Sequence, residues 1–161
     1  MRELDALFTA LGRSSFRRKF HLAGRDRDYL ERHGLEQVLA HGEQFIATRL
    51  APARPAADGR QTPLAGHPVF VAQHATATCC RNCLRRWHGI ARFRPLTPAE
   101  IAYVIGVLRH WLEVDRRRCS VSPVDGPLLD GPPAEGPRPD KPPADESRAV
   151  KQRQQRLFLA E

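Results

Sequence analysis

Apolar residues recur at helical spacing in two long parts of the chain. In LEQVLAHGEQFIATRL, residues 35–50, the positions Leu35, Val38, Leu39, Gly42, Phe45, Ile46 and Leu50 line one face of a 3.6-residue period, and Pro52 ends the run. Upstream, DRDYLERHG opens a helical turn with Asp26 as its cap and Gly34 as a break or kink. The clearest helix is LTPAEIAYVIGVLRHWLEV: Thr97 is the N-cap, Pro98 takes the first helical position and Glu100 completes a capping box. Ile101, Val104, Ile105, Leu108, Trp111 and Leu112 form its apolar face. Between these segments, residues 51–66 read as a long loop with an Asp58-Gly59 turn. HPVFVAQH alternates and is rich in β-formers, which predicts a short strand over 69–73. Thr78 is placed to cap a helix from 79 to about 88, closed by Gly89. The pattern predicts a mainly α fold with one short extended or β element, a small α+β domain. No internal repeat is present.

Composition limits how much of the chain this fold takes up. Eight of the 14 prolines fall between Pro123 and Pro143, in a segment without aromatic residues or apolar periodicity. Such a segment buries too little surface to offset its ordering entropy. The expected organisation is therefore a single compact domain over residues 1–121 and a disordered Pro-rich tail over 122–161. The tail's end, SRAVKQRQQRLFLAE, is a candidate short helix. The formal charge of +8 belongs to the folded part, because residues 1–121 hold 20 lysines and arginines against 11 acids, and the tail holds 6 against 7. A small arginine-rich domain is compatible with a nucleic-acid partner. In LRRWHGIARFR, Arg85, Arg86, Arg92 and Arg94 interleave with Trp87 and Phe93 and are the candidate nucleic-acid contacts. Nothing in the sequence sets the oligomeric state.

No apolar run approaches 18 residues, so no membrane helix is expected. Glu3 and Asp5 interrupt the N-terminus, which has no apolar stretch of signal-peptide length. The expected compartment is the cytoplasm, where clustered cysteines bind metal or do redox chemistry more often than they form disulfides.

Chemistry concentrates in HATATCCRNCLRRWH, residues 74–88, which holds three cysteines, two histidines and a tryptophan. Cys80 and Cys83 form a C-x2-C pair, which presents two thiolates to zinc from one tight turn. His74 and His88 flank the pair at reachable separations, so the expected metal set is His74, Cys80, Cys83 and His88, with Cys79 in reserve. One geometric condition applies: along an unbroken helix His88 is rotated about 140° from Cys83, so convergence requires a knuckle or local unwinding. The rival is a metal- or thiol-dependent enzyme around Cys79–Cys83, His67 and His74. There His21, Gln61, His67 and Cys79 are the catalytic candidates, and neighbouring arginines lower thiol pKa. A thioredoxin-like site would need a βαβ context that the sequence does not provide. A deaminase would need H-x-E, whereas His67 precedes Pro-Val and His74 precedes Ala-Thr. No Walker loop or G-x-G-x-x-G is present.

RRKFHL, FIATRLAPARPAADGRQTP, GHPVFVAQHATATCCRNCLRRWHGI and LTPAEIAYV together resemble the bacterial family known as the domain of unknown function 4186. The resemblance covers about residues 14–115. It implies a small cytoplasmic domain whose pattern includes the positions of His21, Gln61, His67, His74, Cys79, Cys80, Cys83 and His88. It implies no activity, and the Pro-rich tail departs from the family's usual short C-terminus. The functional expectation is a small zinc-binding protein whose basic face contacts nucleic acid.

Overall fold

The computed structural model describes residues 1–120, with side chains through Arg118; the expected tail, its terminal helix and the Cys119 side chain lie outside the described residues. The elements in order are α1 (Leu4–Gly12), a 3-10 turn (Arg17–Lys19), α2 (Gly24–Phe45) running into a π-wound turn (Ile46–Leu50), α3 (Pro68–Ala75), a single turn α4 (Arg81–Cys83) continued by a second π-wound turn (Leu84–His88), and α5 (Pro98–Ser120). Among the described residues there is no strand.

The segment expected as a strand is α3. His67 is extended and its side chain accepts the Val69 N–H, while Pro68 occupies the first turn, where a missing N–H costs nothing. These two cap residues outweigh the β preference of Val69, Phe70 and Val71. Seven of the eight residues in α3 are buried, so the helix has no polar face to reveal its period.

α2 begins at Gly24, with Ala23 as its extended N-cap, so Asp26 is not the cap. Asp26 lies in the first turn and accepts the Gly66 N–H at 3.2 Å, tying the long loop to α2. The expected break falls at Gly34, whose φ of 75° and ψ of 162° leave helical geometry. Gly42 permits close approach: a Cβ there would stand 3.3 Å from Cγ2 of Val69 on α3. α5 carries the capping box as read: Thr97 Oγ1 accepts the Glu100 N–H at 3.2 Å and Glu100 accepts the Thr97 N–H at 2.9 Å.

α2, α3 and α5 pack on one another. Their core joins Leu30, Val38, Leu39 and Ile46 to Val69 and Ala72 and to Val104, Leu108 and Leu112. Removing each of these leucine, isoleucine and valine side chains from water contributes about 1.5–3 kcal/mol. The sequence reading did not assign α1. Its Leu7 and Leu11 form a second cluster with Ala77 and Val107, against which Cys83 and Trp87 pack. That cluster fixes the outer side of the cysteine turn.

Candidate metal centre

The cysteines are placed by two consecutive backbone devices. α3 ends in a Schellman arrangement: Thr78 N–H donates to Gln73 O at 2.9 Å while Ala77 takes a left-handed φ of 59°. Glycine is usual at that position, but Ala77 is fully buried in the α1 cluster, and its methyl contributes packing that glycine lacks. Thr76 Oγ1 donates to Ala72 O at 2.7 Å and lies 3.1 Å from Thr78 Oγ1, and Gln73 Nε2 donates to Thr78 O at 3.1 Å. The QHATAT stretch is thus a buried, internally bonded reversal. It delivers the chain to Cys79.

Cys80 is then extended (φ −158°, ψ 165°) and is the N-cap of α4, its Sγ accepting the Cys83 N–H at 3.4 Å. The expected cap at Thr78 therefore moves two residues on, and the helix keeps its expected end at Gly89 (φ 69°). The Sγ atoms of Cys79, Cys80 and Cys83 lie within 4.8 Å of one another, and Cys79 and Cys83 are 3.7 Å apart. Cys79 and Cys80 are buried, and Cys83 is partly open.

A long-range cation completes the cluster. Nη2 of Arg17 donates to Cys83 Sγ at 3.3 Å, and Nη1 lies 4.0 Å from Cys79 Sγ and donates to His74 O. The Phe16 ring lies 5.0 Å and the Trp87 ring 6.0 Å from this guanidinium. Cys80 is held well below the ordinary thiol range, chiefly by the bond from Cys79, then by that from Cys83 and by backbone N–H groups. Cys79 is correspondingly pushed up by its bonds to Cys80 and Cys83 and by burial. Cys83 moves up too: the bond from Cys79 lowers it, but the bond it gives Cys80 and burial prevail. The hydrogen bonds among the three sulfurs thus favour the thiolate form at Cys80 over that at Cys79 and Cys83. Three soft donors at this spacing can hold a metal ion.

The two histidines of the expected set have other partners. His88 is fully buried, its Nε2–H donates to Thr76 O at 2.9 Å, and its Nδ1 accepts from the Tyr103 hydroxyl at 3.1 Å. Burial pushes it down to about 4, so it is a neutral structural brace. His74 stacks on Phe20 and turns Nε2 to the Thr62 and Pro63 carbonyls, each at 3.1 Å. The reserve residue Cys79 takes a full place in the cluster, and His74 and His88 stand outside it.

The catalytic candidates other than Cys79 do not converge on the cysteines. His67 sits among Tyr29, His41, Phe45 and Phe70, with Nε2 3.3 Å from His41 Nδ1. His21 pairs with Asp115 at 3.1 Å, and Gln61 folds back on Gly59 and Asp58 within its loop. Among the basic candidates, Arg85 and Arg86 are exposed, whereas Arg92 pairs with Asp58 and Arg94 forks onto Glu100.

The sequence reading did not foresee Arg17 at the cysteines, and Arg81, expected beside the thiols as a cation lowering their pKa, points into the core instead. Arg81 is 1% exposed; its N–H donates to Asp58 Oδ1 and its guanidinium to the carbonyls of Leu50, Ala91 and Arg94. FRRKF was visible as a basic run, but no local signal tied it to cysteines some sixty residues away.

A family model described as Domain of unknown function (DUF4186) matches residues 5–113, which span α1, the cysteine turn and most of α5. The chain belongs to the DUF4186 family. The match contains Arg17, the three cysteines and Arg81, so the whole cluster and its supports lie inside the family domain. No solved structure matches the chain.

Proposed function

We propose that this DUF4186 protein binds one zinc ion through the thiolates of Cys79, Cys80 and Cys83, leaving one coordination position for an exchangeable ligand. The observation that carries the reading is the sulfur spacing. Thiolates held tetrahedrally at a Zn–S length of about 2.3 Å stand ~3.8 Å apart, and Cys79 and Cys83 already stand 3.7 Å apart. Three protein ligands with an open position are the pattern of sites that exchange a ligand, whereas closed structural sites supply four. Cys83, the most exposed of the three, marks the side from which that ligand would come. Loading a divalent ion displaces the protons that the three sulfurs share, so affinity rises with pH.

The test is elemental analysis of the full chain purified anaerobically, with Cys79→Ser, Cys80→Ser, Cys83→Ser and His74→Ala alongside. The expected result is about one zinc per chain, lost in each cysteine variant and kept in His74→Ala. Loss of metal in His74→Ala would overturn the three-cysteine set in favour of a mixed one. A second reading follows from the same 3.7 Å contact: without metal, Cys79 and Cys83 are a dithiol one short movement from a disulfide. Metal-free protein that loses two thiols on mild oxidation would favour it.

A further inference from the structure

A cavity of about 400 Å³ opens between α1, the 3-10 turn and the C-terminal half of α5, with none of the three cysteines in its lining. That volume is within the range of small-molecule sites. Its lining is electrically one-sided. Arg17, Arg18 and Arg118 line it; the Arg17 guanidinium is engaged with the cysteines and His74 O, and neither Arg18 nor Arg118 has an ion-pair partner among the described residues. The one carboxylate in the lining, Asp115, is 2% exposed and already accepts the Leu22 N–H at 2.8 Å and His21 at 3.1 Å. Its charge is therefore committed inward. Phe8, Phe20 and Trp111, all half-buried, bring aromatic side chains to the lining beside the aliphatic Leu11 and Val114.

Unpaired guanidinium groups select an anion, and a phosphate monoester best uses their forked N–H donors, since it offers three terminal oxygens and up to two charges. Aromatic walls add nothing to the recognition of a bare anion. They suit a ligand that also carries a flat ring, because stacking is indifferent to the identity of the base. We propose that this cavity binds a nucleoside monophosphate, with the phosphate on Arg18 and Arg118 and the base against the aromatic wall. The site is separate from the metal centre and does not depend on the zinc reading. Arg17 is the one residue common to both, so it is left unaltered in the test.

The experiment is calorimetric titration of the full chain with AMP, adenosine and inorganic phosphate, repeated with Arg18→Ala and Arg118→Ala. AMP should bind saturably with a Kd below about 1 mM, and adenosine and phosphate at least about tenfold more weakly. Each arginine variant should weaken AMP by about tenfold, with melting temperature and metal content unchanged. Absence of saturable heat with AMP, GMP, CMP and UMP overturns the proposal, as does binding that survives in the double arginine variant. Phosphate alone binding as tightly as AMP overturns the assignment of the ring. Because metal content is measured in the same samples, failure here is distinguishable from failure of the zinc reading.

Discussion

Replacing Arg81 with methionine is the sharpest test of how the cysteine turn is held. The guanidinium lies between Cys80 and Cys83 in sequence but points into the domain, where it donates to Ala91 O and Arg94 O at 2.7 Å and to Leu50 O at 3.4 Å. Burial holds its pKa below the arginine range, with Arg94 adding to the effect, and only carbonyl dipoles contact the guanidinium directly. Methionine keeps the length and apolar stem and deletes the donors. Each short bond from a charged donor contributes about 1.5–3 kcal/mol. Relief from burying a charge returns part of this, and the Ala91 and Arg94 carbonyls, on exposed or half-exposed residues, can turn to water. The Leu50 carbonyl, on a residue 1% exposed, cannot. The net loss is about 3 kcal/mol, or roughly 10 °C in Tm for a domain of this size. Urea unfolding of the full chain at pH 7 measures it, and Arg81→Lys should fall between, since one ammonium cannot span three carbonyls. A methionine variant within about 0.5 kcal/mol of the parent would refute the reasoning, because it would mean the three carbonyls gain nothing from the buried cation.

Acid should weaken the fold in two separate windows. His67 and His88 are pushed down to about 4 by burial, His67 further by the neighbouring His41, so the unfolded chain takes up their protons first. Their contribution is complete above pH ~6.5 and is lost as pH falls from there to ~4, at up to about 1.4 kcal/mol per pH unit per histidine. Denaturant midpoints measured from pH 7 to 4 should decline accordingly, and a flat profile would contradict the neutral-histidine account. Glu100 is pushed down to about 2 mainly by its bond from Arg94, against burial and with help from the Thr97 N–H. Its contribution is present above pH ~4.5 and disappears towards pH 2. Glu100→Gln should therefore cost about 1 kcal/mol at pH 7 and roughly a quarter of that at pH 2.5; equal costs at both would refute it.

α5 was legible because Thr97, Pro98 and Glu100 write a helix start in four consecutive residues, and the capping box needs no tertiary help. α3 was not, although His67-Pro68 is also a helix start. A histidine is an uncommon cap, and a helix buried on nearly every side shows neither a 3.6 nor a 2.0 period. The three cysteines were visible as a cluster, but which of them meet depended on the extended conformation of Cys80, which brings Cys79 back over Cys83. His74 and His88 looked like ligands through proximity in sequence. What takes His88 away is Tyr103, on α5, and what turns His74 aside is the carbonyl pair at Thr62 and Pro63 in the long loop. Contacts of that kind are set by tertiary packing and leave no mark on local spacing.

Charge gives an independent argument for the three-thiolate set. Two thiolates and two neutral imidazoles around a divalent cation sum to zero, and such a site gains little from a nearby arginine. Three thiolates leave one net negative charge, and a partly buried charge is costly unless paired and hydrogen-bonded. Arg17 provides both the opposite charge and N–H donors, at 3.3 Å from Cys83 Sγ and 4.0 Å from Cys79 Sγ. Its side chain is itself fixed by His74 O and flanked by the Phe16 and Trp87 rings, so the cation is held at the sulfurs rather than free in solvent. In the metal-free cluster the same cation favours the charged form of Cys83. On the proposed three-thiolate reading Arg17 therefore offsets the net negative charge of the site, whereas a neutral site built with His74 and His88 would gain little from it.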